Sequence, residues 1–315
     1  MRQTLESVPG TDPTMERVSV SASPEQEVDD FTRSFERLPD RVRETLGAEE
    51  RQMLRRIFDK DPFTFKHSVA VTEIINKVWG EFSGELEREG INYKNMVDAA
   101  ALHDVGKLAL PDCILKSSIQ KDQFADLFMD FVREQPDRAT DILRSKGILS
   151  GKRTAQDVTE KNLRRLDHRD VVPLEFCFRD QPAAMAEIIH SGLDAQGSFL
   201  DAIKIHEGKS REIISQSQLP HRELVAALAG SHHNYDAKAE VRYSNGNEAV
   251  KLPVNASEVL HISDVFQAMT GHRKYQDAMT ESAAIDRIAE MARQGVLSND
   301  IAERWVAAYK RSSGI

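Results

Sequence analysis

The chain has 315 residues, enough for one large domain or two ordinary ones with ample core. It carries 42 Lys and Arg against 51 Asp and Glu, a formal net charge of −9 with no strongly basic block, which argues against duplex nucleic acid and anionic membranes as partners. Two cysteines far apart, Cys113 and Cys177, exclude a disulfide framework and a paired-thiol metal site, and no apolar run approaches the ~18 residues of a membrane span.

In chain order, residues 1 to about 25 are rich in Ser, Thr, Pro and Glu, the composition of a flexible tail. Their opening, MRQTLESVPGTDPT, lacks the apolar core of a signal peptide, so a cytoplasmic protein is expected. Over residues 26–62, Phe31, Phe35, Leu38, Val42, Leu46, Met53, Leu54 and Ile57 predict one or two short helices packed as a collar on the rest. A long helix is predicted from Phe63 to about Arg88, because Phe63, Ala70, Val71, Ile74 and Val78 recur at three- and four-residue steps, and His67 lies on that stripe. A second, from Asn92 to about His103, buries Met96, Val97, Ala100 and Ala101 and brings His103 and Asp104 to its inner end. Gly106 and Lys107 follow, and Pro111 ends the element.

From about 117 to 200 the pattern is weaker and reads as an inserted segment. Phe124, Leu127, Phe128 and Phe131 predict a helix, Pro136 opens another with Ile142 and Leu143, and 147–158 reads as a connecting loop. A basic patch (Lys161, Arg164, Arg165, His168, Arg169) reads first as a solvated face and second as a means of steering phosphate. The run VVPLEFCF looks extended and leaves room for a short β-hairpin, before 183–190 turns helical again.

The helical stripe resumes from Phe199 to about Gln216, with His206 on its apolar side. The next helix, after Pro220, ends in Ser231-His232-His233, and a polar loop with Asn245-Gly246 leads to a helix from about Asn255 that carries Asp264 inward. Two amphipathic elements, Ala283 to Ala292 and Asp300 to Tyr309, flank a helix stop at Gly295.

Five imidazoles (His67, His103, His206, His232, His233) and two carboxylates (Asp104, Asp264) thus fall on apolar stripes of one helical chain. A single buried histidine is ordinarily satisfied by its own partner. Seven such groups each need one, and a shared metal cluster supplies all of them together. The set exceeds what one ion uses, so two divalent ions are expected, and its histidine content favours Mn, Fe, Co, Ni or Zn over Ca and Mg.

The order of these residues resembles the HD superfamily of metal-dependent phosphohydrolases, and within it the HD-GYP subgroup, which hydrolyses cyclic di-GMP. The resemblance runs from about Phe65 to Tyr309 around the insertion. HDVGKLALPDCILK is similar to the subgroup's first motif, which implies ligand roles for His103 and Asp104 and a phosphate contact for Lys107. His67, His206 and the pair His232-His233 match the other histidine ligands, and HISDVFQAMTGHRKYQ is similar to the last motif, which implies a ligand in Asp264 and a phosphate-binding Arg273. The fold so implied is an all-α HD-domain bundle over 63–315 with the insertion at about 117–200. The activity so implied is a phosphodiesterase in which a metal-bridging hydroxide attacks phosphorus, Asp104 bridges two metals, and Lys107 and Arg273 offset phosphoryl charge.

The match has limits. The Gly-Tyr-Pro loop is missing, the Glu that can support a third metal is Asn234, Phe63 stands one turn before His67, and Gln267 and Gln276 replace an acid and a base of the subgroup. Cyclic di-GMP or a related cyclic dinucleotide is the first expectation for substrate. A mononucleotide or other small phosphoester is the second, and a non-catalytic metal- or nucleotide-binding signalling scaffold the third. A protein partner would meet the tail or the insertion.

Overall fold

The computed structural model describes residues 24–117, 119, 121–158, 166–233, 242–245, 248–271 and 278–315. The proposed tail falls outside the described residues except at its last positions, as do Lys161, Arg164, Arg165, Asn234, Arg273 and Gln276.

Among the described residues the architecture is all-α apart from one hairpin, and its axis is α4 (Pro62–Arg88). Pro62 occupies the first turn, where its missing N–H costs nothing, and Asp61 caps the helix by accepting from Phe63 N (3.3 Å) and Thr64 N (3.1 Å). Phe65, Val69, Thr72, Ile75, Trp79, Phe82 and Leu86 then form one buried stripe, so this helix is held by packing along its whole length. Beside it runs α5 (Tyr93–Leu102), opened by a reciprocal Asn92–Asn95 capping box and buried from Asn95 to Leu102. Its Ala99-Ala100-Ala101 run keeps the helix thin enough to sit between neighbours.

The collar comprises α1 (Pro24–Glu36), α2 (Asp40–Thr45) and α3 (Ala48–Lys60), all packed on α4. Behind the axis lie α13 (Val254–Thr270), α14 (Glu281–Arg293) and α15 (Asn299–Ser313), named here ahead of the elements that precede them in the chain. Trp305 on α15 is fully buried, yet its indole N–H donates to Ser263 Oγ at 3.0 Å, so burial strands no donor. It stacks on Tyr309 and, with Phe266, fixes α13 from the side opposite the collar.

Between Pro111 and Ser198 the chain builds α6 (Asp112–Leu115), α7 (Lys121–Glu134), α8 (Pro136–Ser145), α9 (Leu174–Cys177) and α10 (Pro182–His190). These enclose a second apolar core, with Phe124, Phe128, Phe131, Leu143, Val172, Leu174 and Ile188 at its centre. One helix belongs to both cores: α11 (Phe199–Ser215) gives Phe199 and Ala202 to the second and Ile214 to the first. The chain continues into α12 (Arg222–Ala229), then the antiparallel strands β1 (Arg242–Asn245) and β2 (Glu248–Lys251), which pair Tyr243 with Val250.

Two expectations need correction. The run VVPLEFCF is not a strand: Val171 and Val172 are buried loop, and Pro173 opens the helical turn α9. An unbroken apolar run carries no period to separate strand from helix, and proline at the N-cap decides for helix. The hairpin occurs instead where a polar loop was read, with Asn245 paired to Glu248 at its described end. Among the described residues no helix is long and apolar enough to cross a membrane.

Candidate metal centre

Five elements deliver the site. His67 comes from the second turn of α4, and His103 and Asp104 from the end of α5, where the chain tightens into a 3-10 turn over Val105–Ala109. That turn depends on Gly106. A Cβ there would stand 1.9 Å from His206 O and 2.4 Å from Ser210 N, so only glycine lets α11 approach this closely. Ser210 closes the junction: its Oγ accepts from Gly106 N at 2.8 Å and donates to His103 O at 2.6 Å. His206 is thereby set against Asp104. His232 and His233 follow the end of α12, and Asp264 projects from α13, which is backed by Trp305.

All seven side chains meet. His67 Nε2 lies 3.1 Å from His103 Nε2 and 2.9 Å from Asp264 Oδ1. Asp104 spans the cluster. Its Oδ2 is 3.6 Å from His67 Nε2 and 3.4 Å from His103 Nε2, while its Oδ1 is 3.1 Å from His206 Nε2 and 4.0 Å from His232 Nε2. His206 Nε2 lies 3.3 Å from His232 Nε2, and His233 Nδ1 lies 3.8 Å from Asp264 Oδ2. Three sets offer ligand atoms all within 4.8 Å of one another: His67, His103 and Asp264; His103, Asp104 and His232; and His206, His232 and His233. Lys107 turns back to place Nζ 2.7 Å from Asp104 Oδ2.

The far sides of the rings settle their tautomers. Nδ1 of His103 faces Ala100 O at 2.8 Å, Nδ1 of His206 faces Ile203 O at 2.5 Å, Nδ1 of His232 faces Ala229 O, and Nδ1 of His67 faces Gln267 Oε1. An oxygen acceptor requires a proton on each Nδ1, which in the neutral ring leaves Nε2 a bare lone pair. Two pairs of such lone pairs then confront each other, His67 with His103 and His206 with His232. Acceptor against acceptor at these distances is repulsive unless a proton or a cation lies between.

Protons serve this purpose poorly at the cluster's centre. Burial holds His103 below its ordinary pKa and His232 well below it, and burial pushes His233 down to about 4. Burial would raise the carboxyl of Asp104, but Lys107, His103 and His206 outweigh it and hold Asp104 well below the usual carboxylate range. Asp264 is likewise held low against its burial, chiefly by the His67 imidazole beside it. Neutral imidazoles and ionised carboxylates are the protonation states that bind a divalent transition metal.

Two participants, His261 and Ser210, were not singled out in the sequence, and a third, Gln267, was noted there only as a departure from the subgroup. His261, one turn before Asp264, is buried and donates from Nδ1 to His232 O at 2.6 Å; it shares the apolar stripe that marked the other histidines. Gln267 orients His67, and Ser210, four residues after His206, binds the turn beneath it. Of the basic patch, Arg169 is engaged by Asp167 at 2.6 Å, which favours the solvated-face reading. Comparison with protein-family models, with curated proteins and with solved structures gave no match. The functional reading therefore rests on the geometry of the cluster together with the sequence resemblance.

Proposed function

We propose that the chain is a metal-dependent phosphohydrolase of the HD type that cleaves a phosphodiester, with a cyclic dinucleotide such as cyclic di-GMP as the first candidate substrate. The observation that supports metal is the confrontation of bare Nε2 lone pairs, each fixed by an acceptor behind its ring. His67, His103 and Asp264 would hold one ion, and His206, His232 and His233 a second, with the two oxygens of Asp104 turned toward the two sets. A histidine-rich set of this kind suits Mn, Fe, Co, Ni or Zn. Bound there, such ions lower the pKa of water and offset charge on a phosphoryl group.

The chain's own residues do the rest. The backbone carbonyls of Ala100, Ile203 and Ala229 and the amide of Gln267 hold the rings in one tautomer. The apolar walls keep His103, Asp104 and His232 from water. Lys107, tied to Asp104 and about a quarter exposed (24%), would offer its ammonium to a phosphate oxygen at the cluster. The resemblance assigns Arg273 a phosphate contact, and that residue lies outside the described ones.

A second reading keeps the metals and takes a mononucleotide or other small phosphoester, favoured by the missing Gly-Tyr-Pro loop. The deciding experiment joins metal analysis of the purified chain to product identification on cyclic di-GMP, pGpG, nucleotides and a generic phosphoester. Metal together with turnover of the cyclic dinucleotide, lost in the His103→Ala/Asp104→Ala double variant, is the expected result. Metal without turnover of any phosphoester leaves a signalling scaffold, and turnover retained in the double variant overturns the mechanism.

A further inference from the structure

Among the described residues one buried histidine remains outside the proposed ligand set. His261 is 4% exposed, and its Nδ1–H donates to His232 O at 2.6 Å. That carbonyl belongs to the peptide unit joining His232 to His233, beyond the last helical residue of α12, where no intrahelical N–H serves it. The location matters because adjacent residues ordinarily aim their side chains apart, whereas these two must aim at one place. Their rings lie with centroids 4.1 Å apart and planes at 43°, and both face His206 and the aspartates. The angle between them follows from the tilt of the peptide plane that links them. On α13, Ser257, His261 and Asp264 fall on one side at four- and three-residue steps. Ser257 Oγ meets Ser231 Oγ at 3.2 Å, His261 holds the next peptide but one, and Asp264 enters the centre.

We infer that His261 is a positioning residue: by gripping the peptide between His232 and His233 it sets the angle at which the pair presents its imidazoles to the second ion. The inference rests on the metal reading above. A mere strut between α12 and α13 would require only a side chain of similar bulk; a positioning role requires an N–H at the place of Nδ1. Asparagine offers its amide N–H near that place, while glutamine carries its own one bond farther, near the place of Nε2.

The test titrates the full-length, chelator-stripped chain with Co(II) alone, for wild type, His261→Asn, His261→Gln and His261→Leu, reading visible absorption and affinity by chelator competition. Urea unfolding of each metal-free protein runs alongside. Wild type and His261→Asn should take two ions with matching spectra. In His261→Gln and His261→Leu the second ion should weaken about 10- to 100-fold with an altered spectrum, the usual effect of losing an outer hydrogen-bond partner, while the first stays unchanged. Equal loading of the Gln and Asn variants overturns the inference, as does an affinity loss that merely tracks loss of metal-free stability. Should His261→Leu fail to fold, the Asn and Gln pair still decides. A wild-type chain that takes no Co(II) overturns the metal reading and this inference with it, whereas a loaded wild type with unaffected variants overturns this inference only.

Discussion

Helix α5 carries a buried polar cluster at each end, and the two are built on opposite terms. At its start, Lys94 places Nζ 2.5 Å from Glu50 Oε1, 2.9 Å from Asp98 Oδ2 and 3.2 Å from Thr45 O. Both carboxylates are buried, yet the ammonium meets them with donors of its own, and burial lifts Asp98 to about 7 so that a proton covers the remaining charge. At the other end, His103 and Asp104 join a set in which ring nitrogens and carboxylate oxygens face one another, and Lys107 is the one ammonium bonded to it among the described residues. Burial of charge is common to both ends. What separates them is the match of donors to acceptors: the first cluster closes on itself, and the second has an acceptor surplus that a cation completes.

The sharpest way to break the comparison is to exchange the damage. Asp104→Ala should weaken metal binding by more than about 100-fold, beyond what loss of an outer partner does, and phosphodiester turnover should vanish with it. Asp98→Ala should leave metal content intact and lower only stability. Metal analysis of both proteins checks this, and metal retained by Asp104→Ala would mean that the surplus is not what holds the ion.

Gly106→Ala comes next. Its Cβ must displace the backbone of His206 and Ser210, so a loss of about 3 kcal/mol, the upper end for over-packing, should appear in urea unfolding of the metal-free chain. The same shift moves His206 away from Asp104, so metal affinity should fall as well; an unchanged affinity would detach the Gly106 contact from the site. Lys94→Met, at the self-contained end, should cost about 2 kcal/mol, less than the roughly 3–5 of a fully buried pair because the Lys94 side chain is 35% exposed. Its metal content should match wild type.

The two ends also differ in how well the chain advertises them. His67, His206 and Asp264 were legible because each interrupts an apolar stripe of three- and four-residue steps, and His103, His232 and His233 because they follow such a stripe at the end of a helix. The helices around them were legible for the same reason: the stripe read from Phe199 to about Gln216 is α11, Phe199–Ser215. Lys94, Asp98 and Glu50 were not, since charged residues one turn apart look the same whether they face solvent or a neighbouring helix. Neither were Ser210 and Gly106 as partners, because their contact joins residues 104 apart in the chain. The second core gave α7, α8 and α10 but not the one-turn helices α6 and α9, the latter because an apolar run lacks any period.

The smallest expected effect tests the proton at the self-contained end. Glu50 from α3, Lys94 and Asp98 from α5, and the carbonyl of Thr45 are the polar groups that meet there. The unfolded chain releases the Asp98 proton near the ordinary carboxyl value of 3.8, whereas the folded chain keeps it to about 7. Between those values the folded state binds more protons, so stability from this group is complete at acid pH and drains away as pH rises through about 7. From about pH 6 to about pH 7.5 the fall should be about 1 kcal/mol. In Asp98→Asn one carboxylate, Glu50, faces one ammonium, Lys94, and no proton is needed, so the fall should disappear. The difference between Asp98→Asn and wild type, both stripped of metal, isolates this end from the imidazoles at the other, whose lowered pKa values make stability fall in the opposite direction, toward acid. A difference that stays flat across that range would place the shared proton elsewhere, and one that changes when Co(II) is added would show that the two ends of α5 communicate.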